Sequence, residues 1–182
     1  MEKEPKTTPI KHNYAAFIRA VQLHSGKTMK EFCATAGVNQ NTPRFALQRG
    51  NILLKTAMRM LAANGYVCVL RFTFRETPEY LIIDDIKEDP FDVDWKTFRQ
   101  TDYLKAVYRN DPDLFDRAAH KLDITDRAIR YVFQNDNGDL SRIYELADCA
   151  GLDAKLLIKK DEDAAKILKQ RLAAESNAQL EE

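Results

Sequence analysis

The sequence contains no long hydrophobic run and no pattern of paired cysteines. Its longest apolar runs, such as YVCVL at residues 66–70, are far shorter than the about 20 residues that a membrane-spanning helix needs. Cys33, Cys68 and Cys149 are widely spaced, and none forms a CxxC pair or lies near a histidine at ligand spacing. These absences argue against a membrane protein, a disulfide framework and a zinc site, and they favour a protein with reduced thiols.

Motifs for catalysis and for cofactor binding are also absent. The sequence has no glycine-rich nucleotide loop, and His12, His24 and His120 have no partners at the spacing of a metal site or a catalytic triad. Asp84 and Asp85 follow a predicted strand, as the carboxylates of some metal-dependent nucleases do, but nothing else completes such a site. The sequence MEKEPKTTPIKHN at the start lacks the apolar centre of a signal peptide. We therefore expect a cytoplasmic protein that is not an enzyme, with no catalytic residue, metal, cofactor or membrane partner.

Charge is distributed unevenly along the chain, although its net value is zero. Residues 1–75 contain 12 Lys and Arg against 3 Asp and Glu, whereas residues 76–182 contain 16 against 25. Such an asymmetry is expected when one part of a protein meets a polyanion and the other part does not. An uneven solvated surface is the alternative interpretation.

Hydrophobic spacing predicts helices on both sides of a short β segment. Apolar side chains recur at helical spacing from Tyr14 and again from Trp95. Residues 66–75 and 80–84 are rich in β-branched and aromatic side chains and predict a β-hairpin. The predicted organisation is a flexible basic arm (1–13), a first helical unit (14–66), the hairpin with an acidic linker (67–94), a second helical unit (95–160) and a helical tail (161–182) in which Ala165, Ile167, Leu168 and Leu172 can pack.

A shift of 86 residues aligns the two helical units with each other. It places Phe17-Ile18-Arg19-Ala20-Val21 on Tyr103-Leu104-Lys105-Ala106-Val107 without a gap. Other aligned pairs are Val38 with Ile124, Arg44 with Arg130, Phe45 with Tyr131, Gln48 with Gln134, Asn51 with Asn137 and Gly65 with Gly151. The pattern predicts two copies of one unit, and chance similarity between two amphipathic segments is the alternative.

The segment TMKEFCATAGVNQNT, residues 28–42, resembles the helix-turn-helix of the phage-repressor-like family (Cro, cI and XRE). In that family the first helix of the pair begins with Thr, a small residue packs near its end, and Gly-Val or Gly-Ile forms the turn. Thr28, Cys33 and Gly37-Val38 take these positions here. The resemblance covers about residues 14–66 and implies that the second helix of the motif enters the major groove of DNA. The predicted fold is therefore mainly α, with two lambda-repressor-like helical units in tandem and a short β-hairpin between them.

The polar residues around this turn suit DNA recognition. Gln40 and Asn41 can each form two hydrogen bonds with an adenine edge, and Arg44 can reach a guanine or a phosphate. Helix capping is the alternative role of Gln40 and Asn41, and a solvated surface is the alternative for the basic side chains. The candidate DNA-binding residues are Lys27, Thr28, Lys30, Asn39, Gln40, Asn41, Thr42, Arg44, Arg49 and Lys55, with Arg127 and Arg130 as a second contact in the other unit.

Pro43 is the main departure from the family pattern. If Asn39 caps the second helix, Pro43 lacks an N–H that the Asn39 carbonyl needs and its ring crowds that carbonyl. If Thr42 is the cap, Pro43 occupies the first helical position, which proline favours. We prefer the Thr42 cap, which predicts a short helix over residues 43–48 and leaves residues 39–41 as an extended turn.

These features predict a small transcriptional regulator of the bacterial or phage type that binds double-stranded DNA. Units of this kind commonly pair to read two half-sites about one DNA turn apart, here through a homodimer or through the two units of one chain. The second unit has Asp123 in place of the turn glycine and several further acids near its basic residues. The alternative function is therefore an adaptor or antitoxin-like interaction protein that holds a protein partner on its acidic half.

Overall fold

The fold is mainly helical, with one small antiparallel sheet. The computed structural model describes residues 12–75 and 89–178. Within those ranges, four helices and a strand occur twice and a final helix follows. The elements are α1 (Phe17–His24), α2 (Met29–Ala36), α3 (Asn41–Arg49), α4 (Leu54–Ala63), β1 (Tyr66–Phe74), α5 (Asp102–Asn110), α6 (Asp113–Leu122), α7 (Asp126–Asn135), α8 (Leu140–Cys149), β2 (Leu152–Lys160) and α9 (Glu162–Ala178).

Residues with a left-handed backbone recur at the ends of equivalent elements. A shift of 86 residues relates the members of each pair, which are Gly37 (φ 62°) and Asp123 (φ 52°), Gly50 (φ 68°) and Asp136 (φ 48°), and Gly65 (φ 85°) and Gly151 (φ 71°). Asp123 thus keeps the turn conformation of the glycine that it replaces. Aspartate is among the few non-glycine residues that adopt this conformation. The loss of the glycine therefore changes the side chain at the turn but leaves the direction of the backbone.

The strand predicted at residues 66–75 is confirmed as β1, and its partner in the described sheet is β2. The two strands run antiparallel from Tyr66 opposite Lys160 to Phe74 opposite Leu152. The second strand of the predicted hairpin, at residues 80–84, lies outside the described residues. The sequence did not predict β2, because its Leu, Ala and Lys side chains favour helices. Pairing with a buried neighbouring strand overrides that preference.

Near the midpoint of each strand, a side chain forms hydrogen bonds with backbone groups on the strand's outer edge. The backbone N–H of Leu70 donates to Gln100 Oε1 at 2.8 Å, and Gln100 Nε2 donates to the Cys68 carbonyl at 2.8 Å. On the other strand, the N–H of Leu156 donates to the Tyr144 hydroxyl at 3.0 Å. Leu70 and Leu156 face each other in the register, so both midpoints are capped in the same way. Such capping keeps the backbone groups paired and blocks these positions from further strand addition.

The first backbone groups of α4 and α8 bond to the opposite half of the chain. Leu54 N–H donates to the Gly138 carbonyl at 2.9 Å, and Leu140 N–H donates to the Ile52 carbonyl at 2.9 Å. The two bonds are equivalent, because Leu140 lies 86 residues after Leu54 and Gly138 lies 86 residues after Ile52. The loops before the two helices therefore contact each other reciprocally.

Two asparagines complete this reciprocal contact. The Oδ1 atom of Asn137 accepts from Lys55 N–H at 3.1 Å, and the Oδ1 atom of Asn51 accepts from Ser141 N–H at 3.1 Å. The residues that immediately precede α4 and α8 form no side-chain capping bond of their own. Each of these helices is therefore N-capped by an asparagine from the other half, which satisfies donors that a helix start leaves unpaired.

The predicted helical tail is confirmed as α9, which packs against α4 and β1. Arg171 on this helix donates to the carbonyls of Trp95 and Phe98 and so ties the segment before α5 to the tail. That segment consists of turns, although the spacing predicted helix from Trp95. The buried core extends through both halves and includes Ile18, Phe32, Leu54, Met58, Leu61, Leu104, Tyr108, Ile129, Ile143, Leu146, Ala165, Leu168 and Leu172.

Asp136 is a buried carboxylate that fixes the start of α5. It accepts hydrogen bonds from Gln100 N–H at 3.0 Å, from Thr101 N–H at 2.8 Å and from the Thr101 hydroxyl at 2.8 Å.

Burial, with a smaller effect of the nearby Asp136 charge, raises the pKa of the Cys68 thiol to about 12. That thiol therefore stays protonated and serves as a small core side chain.

Candidate nucleic-acid interface

Thr28 and Glu31, three residues apart in the sequence, form the capping box that this spacing predicts at the start of α2. Glu31 N–H donates to Thr28 Oγ1 at 3.2 Å, and Thr28 N–H donates to Glu31 Oε2 at 2.8 Å. The Thr28 backbone N–H, followed by its hydroxyl, lowers the pKa of the Glu31 carboxyl. The helix ends at Gly37, as the sequence predicts. This box holds α2 and the following turn in a defined geometry.

The turn after α2 explains how Pro43 fits into α3. The helix begins at Asn41, so the prediction of a Thr42 cap and a helix from residue 43 is wrong. Asn39 Oδ1 accepts from Asn41 N–H at 2.9 Å, and the Asn39 carbonyl accepts from Thr42 N–H at 2.9 Å. Because Thr42 satisfies that carbonyl, the missing N–H of Pro43 leaves no acceptor unpaired there. Pro43 is buried on the inner face of the helix.

A shallow groove of about 470 Å³ lies between α2 and the start of α3. Its polar lining comes from four of the predicted site residues, and Ala34 and Val38 complete it. In the described part of the chain, no hydrogen bond or ion pair engages the side chains of Lys30, Gln40 and Asn41. All three are exposed. The four predicted residues are Lys30, Asn39, Gln40 and Asn41.

The outer face of α3 continues this surface with basic and aromatic side chains. Arg44 and Arg49 are exposed, and the Arg49 guanidinium lies 5.9 Å from the centroid of the Phe45 ring. Phe45 is 50% exposed and adds an aromatic ring to this surface. The sequence did not mark Phe45 as a functional residue, because an aromatic at helical spacing normally indicates the core.

The structure places Lys27 and Lys55 in contacts within the fold. Lys27 Nζ donates to Asn64 Oδ1 at 2.9 Å and to Thr35 Oγ1 at 3.4 Å. Lys55 Nζ lies 2.9 Å from Glu175 Oε2 on α9, and its side chain is only 16% exposed. The sequence could predict that the tail packs, but it carried no signal that α9 covers this side of α4.

The helix pair α6–α7 occupies the position equivalent to α2–α3. Thr125 caps α7 by accepting from Ala128 N–H at 3.2 Å. Arg130 Nε donates to Asp126 Oδ2 at 2.7 Å, and its guanidinium lies 4.3 Å from the Phe115 ring centroid. Arg130 is therefore engaged within its own half. Arg127 is exposed, and no ion pair or hydrogen bond holds its side chain in the described ranges.

Tyr131 is 62% exposed at the position on α7 that corresponds to Phe45 on α3. The sequence alignment paired these two aromatics but predicted exposure for neither. The equivalent faces of the two helices thus carry Arg44 with Phe45 and Arg130 with Tyr131 at the surface.

Comparisons with protein-family models, curated proteins and solved structures find no match to this chain. The resemblance to phage repressors therefore stays a prediction from the sequence. No helix among the described residues has both the length and the apolar character needed to cross a membrane. Across residues 12–75 and 89–178, no group of three His, Cys, Asp or Glu side chains is arranged to hold a metal ion.

Proposed function

We propose that this protein is a sequence-specific DNA-binding transcriptional regulator that inserts α3 into the major groove. The observation that carries the proposal is the exposed polar cluster of Lys30, Gln40 and Asn41 at the start of α3. Amide and ammonium groups without internal partners are ready to bond to an external ligand. A short helix presented after a tight turn has the dimensions to enter the major groove.

The residue types assign different contacts to different parts of this surface. Gln40 and Asn41 have the amide groups that recognise adenine, and Arg44 can bond to a guanine or a phosphate. Lys30 lines the groove beside Gln40 and Asn41, and Arg49 is the last residue of α3. Both would contact the DNA backbone, which positions a protein without reading sequence. Asn39, Thr42 and Thr28 support this surface chiefly through the turn and the capping box. The positive surplus of residues 1–75 favours approach to a polyanion.

We further propose that the two sets of four helices and a strand are related repressor-like units. Their elements follow in the same order, and α8 and β2 begin 86 residues after α4 and β1. The left-handed positions recur with the same offset. The phage-repressor-like resemblance of residues 28–42 supports the assignment of α2 and α3 to the DNA-reading pair.

The proposal is tested by selecting bound duplexes from a random pool with the full chain, followed by titration of the selected sequence. Arg44→Ala and Gln40→Ala are each expected to weaken binding about tenfold, since a good base contact contributes about 1–3 kcal/mol. Arg71→Ala is the matched control, because it removes one exposed positive charge from β1 in the same half. Its effect should stay within about twofold and should vanish as salt rises.

Failure to retain any duplex at about 50 mM salt would refute the proposal, because basic DNA-binding proteins bind non-specifically under those conditions. The alternative predicted from the sequence, a protein-interaction module with an acidic partner surface, would then be the favoured function. Equal weakening by Arg44→Ala and Arg71→Ala would show that α3 does not read bases.

A further inference from the structure

The contacts between the two halves have the form of a two-fold symmetric interface. In such an interface residue i contacts residue j, and the equivalent of j contacts the equivalent of i. The bonds from Leu54 to Gly138 and from Leu140 to Ile52 obey this rule. The pairing of β1 with β2 also obeys it, because Leu70 faces its own equivalent, Leu156, at the centre of the register.

The asparagine caps follow the same symmetry. Asn51 bonds to Ser141, and Asn137 bonds to Lys55, and each bond is the equivalent of the other. Regulators that read two half-sites generally form such contacts between two chains. Here both sides of the interface belong to one chain.

We propose that a single chain binds one duplex through both α3 and α7 and reads two different half-sites. This inference depends on the proposed function. The equivalent exposed side chains of the two helices are Arg44 and Arg130, Phe45 and Tyr131, and Gln48 and Gln134. A duplex bound to this face of α3 would also contact the equivalent face of α7, because the reciprocal contacts relate the two helices.

The lengths of the two helices are compatible with this arrangement. The C-terminal ends of α3 and α7 lead into the loops that contact each other at Leu53 and Asp139. The helices contain 9 and 10 residues. Laid end to end, their centres would lie about 14 Å apart at about 1.5 Å per residue. The loops at residues 50–53 and 136–139 can each add at most about 13 Å when extended, so a centre-to-centre separation of one DNA turn, about 34 Å, does not exceed this limit.

The two helices differ at the residues that would read bases. Asp126 occupies the position equivalent to Gln40, and Arg127 occupies the position equivalent to Asn41. Amide side chains select adenine, whereas arginine selects guanine and a carboxylate accepts from the amino group of cytosine. One Asp126 oxygen is buried and the other is paired with Arg130, so Arg127 is the base-reading residue of α7. The preferred DNA site is therefore asymmetric, with an adenine-containing half-site for α3 and a guanine-containing half-site for α7. Because Asp126 carries negative charge and pairs with Arg130, the second half-site contributes less affinity.

The test uses the full chain and the duplex selected from a random pool. Native mass spectrometry is expected to show one chain per duplex, and footprinting is expected to show two protected segments about 10 base pairs apart, centre to centre. Arg127→Ala is expected to weaken binding about tenfold and to relax base preference only in the second segment. Arg109→Ala, which removes an exposed charge from α5 in the same half, should change affinity by less than about twofold.

Two results would overturn this inference and leave the proposed function intact. One is a complex of two chains on a palindromic duplex. The other is a one-to-one complex with a single protected segment in which Arg127→Ala binds as tightly as the parent protein. Absence of any duplex binding would overturn both proposals together.

Discussion

Replacement of Asn51 by alanine is expected to destabilise the whole chain, because this side chain holds the two halves together. Asn51 Nδ2 donates to Ser141 Oγ at 2.6 Å, and its Oδ1 accepts from Ser141 N–H at 3.1 Å. Loss of an N-cap bond costs about 1 kcal/mol. The part-buried Ser141 hydroxyl, which also loses its partner, adds about 1 kcal/mol. Asn51→Ala should therefore lower the free energy of unfolding by about 2 kcal/mol.

The equivalent change in the other half should have a smaller effect. Asn137 supplies only one bond of this kind, from Lys55 N–H at 3.1 Å, so Asn137→Ala should cost about 1 kcal/mol. For a chain of this size, the two losses correspond to decreases in Tm of about 4–8 °C and about 2–4 °C. The measurement is urea unfolding followed by far-ultraviolet circular dichroism, with thermal unfolding as a second readout.

Asn135→Ala is the matched control for these variants. The Asn135 side chain donates to the Tyr131 carbonyl within α7, at an exposed site, so this hydrogen bond does not join the halves. Its replacement should change the free energy of unfolding by less than about 0.5 kcal/mol. If Asn51→Ala destabilises the protein no more than Asn135→Ala does, the reasoning that the halves cap each other is refuted.

Three further changes test local features of the fold. Asp136→Ala should lower the free energy of unfolding by about 3 kcal/mol, because it removes the buried carboxylate that binds Gln100 and Thr101 before α5 and leaves alanine at a left-handed position. Asp123→Gly, at an exposed left-handed position, should raise it by about 0.5–1 kcal/mol in the same urea titration, and a loss of stability would contradict this reasoning. The pKa of Glu31 is lower in the folded chain than in the unfolded one, so its contribution is present above the unfolded pKa and is lost as pH falls through the folded value. Glu31→Gln should therefore reduce the slope of stability against pH below about pH 4, and an unchanged slope would contradict the assignment.

Local signals in the sequence predicted the features that depend on neighbouring residues. Thr28 and Glu31 lie three residues apart, and their capping box is present because it needs no partner from elsewhere. The strand at residues 66–75 and the helical tail were predicted for the same reason. The start of α3 was placed wrongly, because the turn offered two local caps, Asn39 and Thr42, and only the observed hydrogen bonds distinguish them.

The sequence predicted only in part which candidate side chains are exposed and free to contact DNA. Lys30, Gln40, Asn41 and Arg44 are exposed as the DNA-binding prediction requires. Lys55 carries a positive charge, as Lys30 does, and was predicted to bind DNA. Its ammonium group instead pairs with Glu175, which lies 120 residues away in the chain. No local pattern encodes such a contact, because it depends on where α9 packs.

Residue type and spacing are sufficient to predict a mainly helical fold, the capped start of α2, the uneven charge and the 86-residue periodicity. The pairing of β1 with β2, the caps that Asn51 and Asn137 supply to helices of the opposite half, and the exposure of Phe45 and Tyr131 follow from tertiary contacts. Strand pairing, capping between halves and burial depend on which surfaces meet, and many surfaces have compatible local patterns.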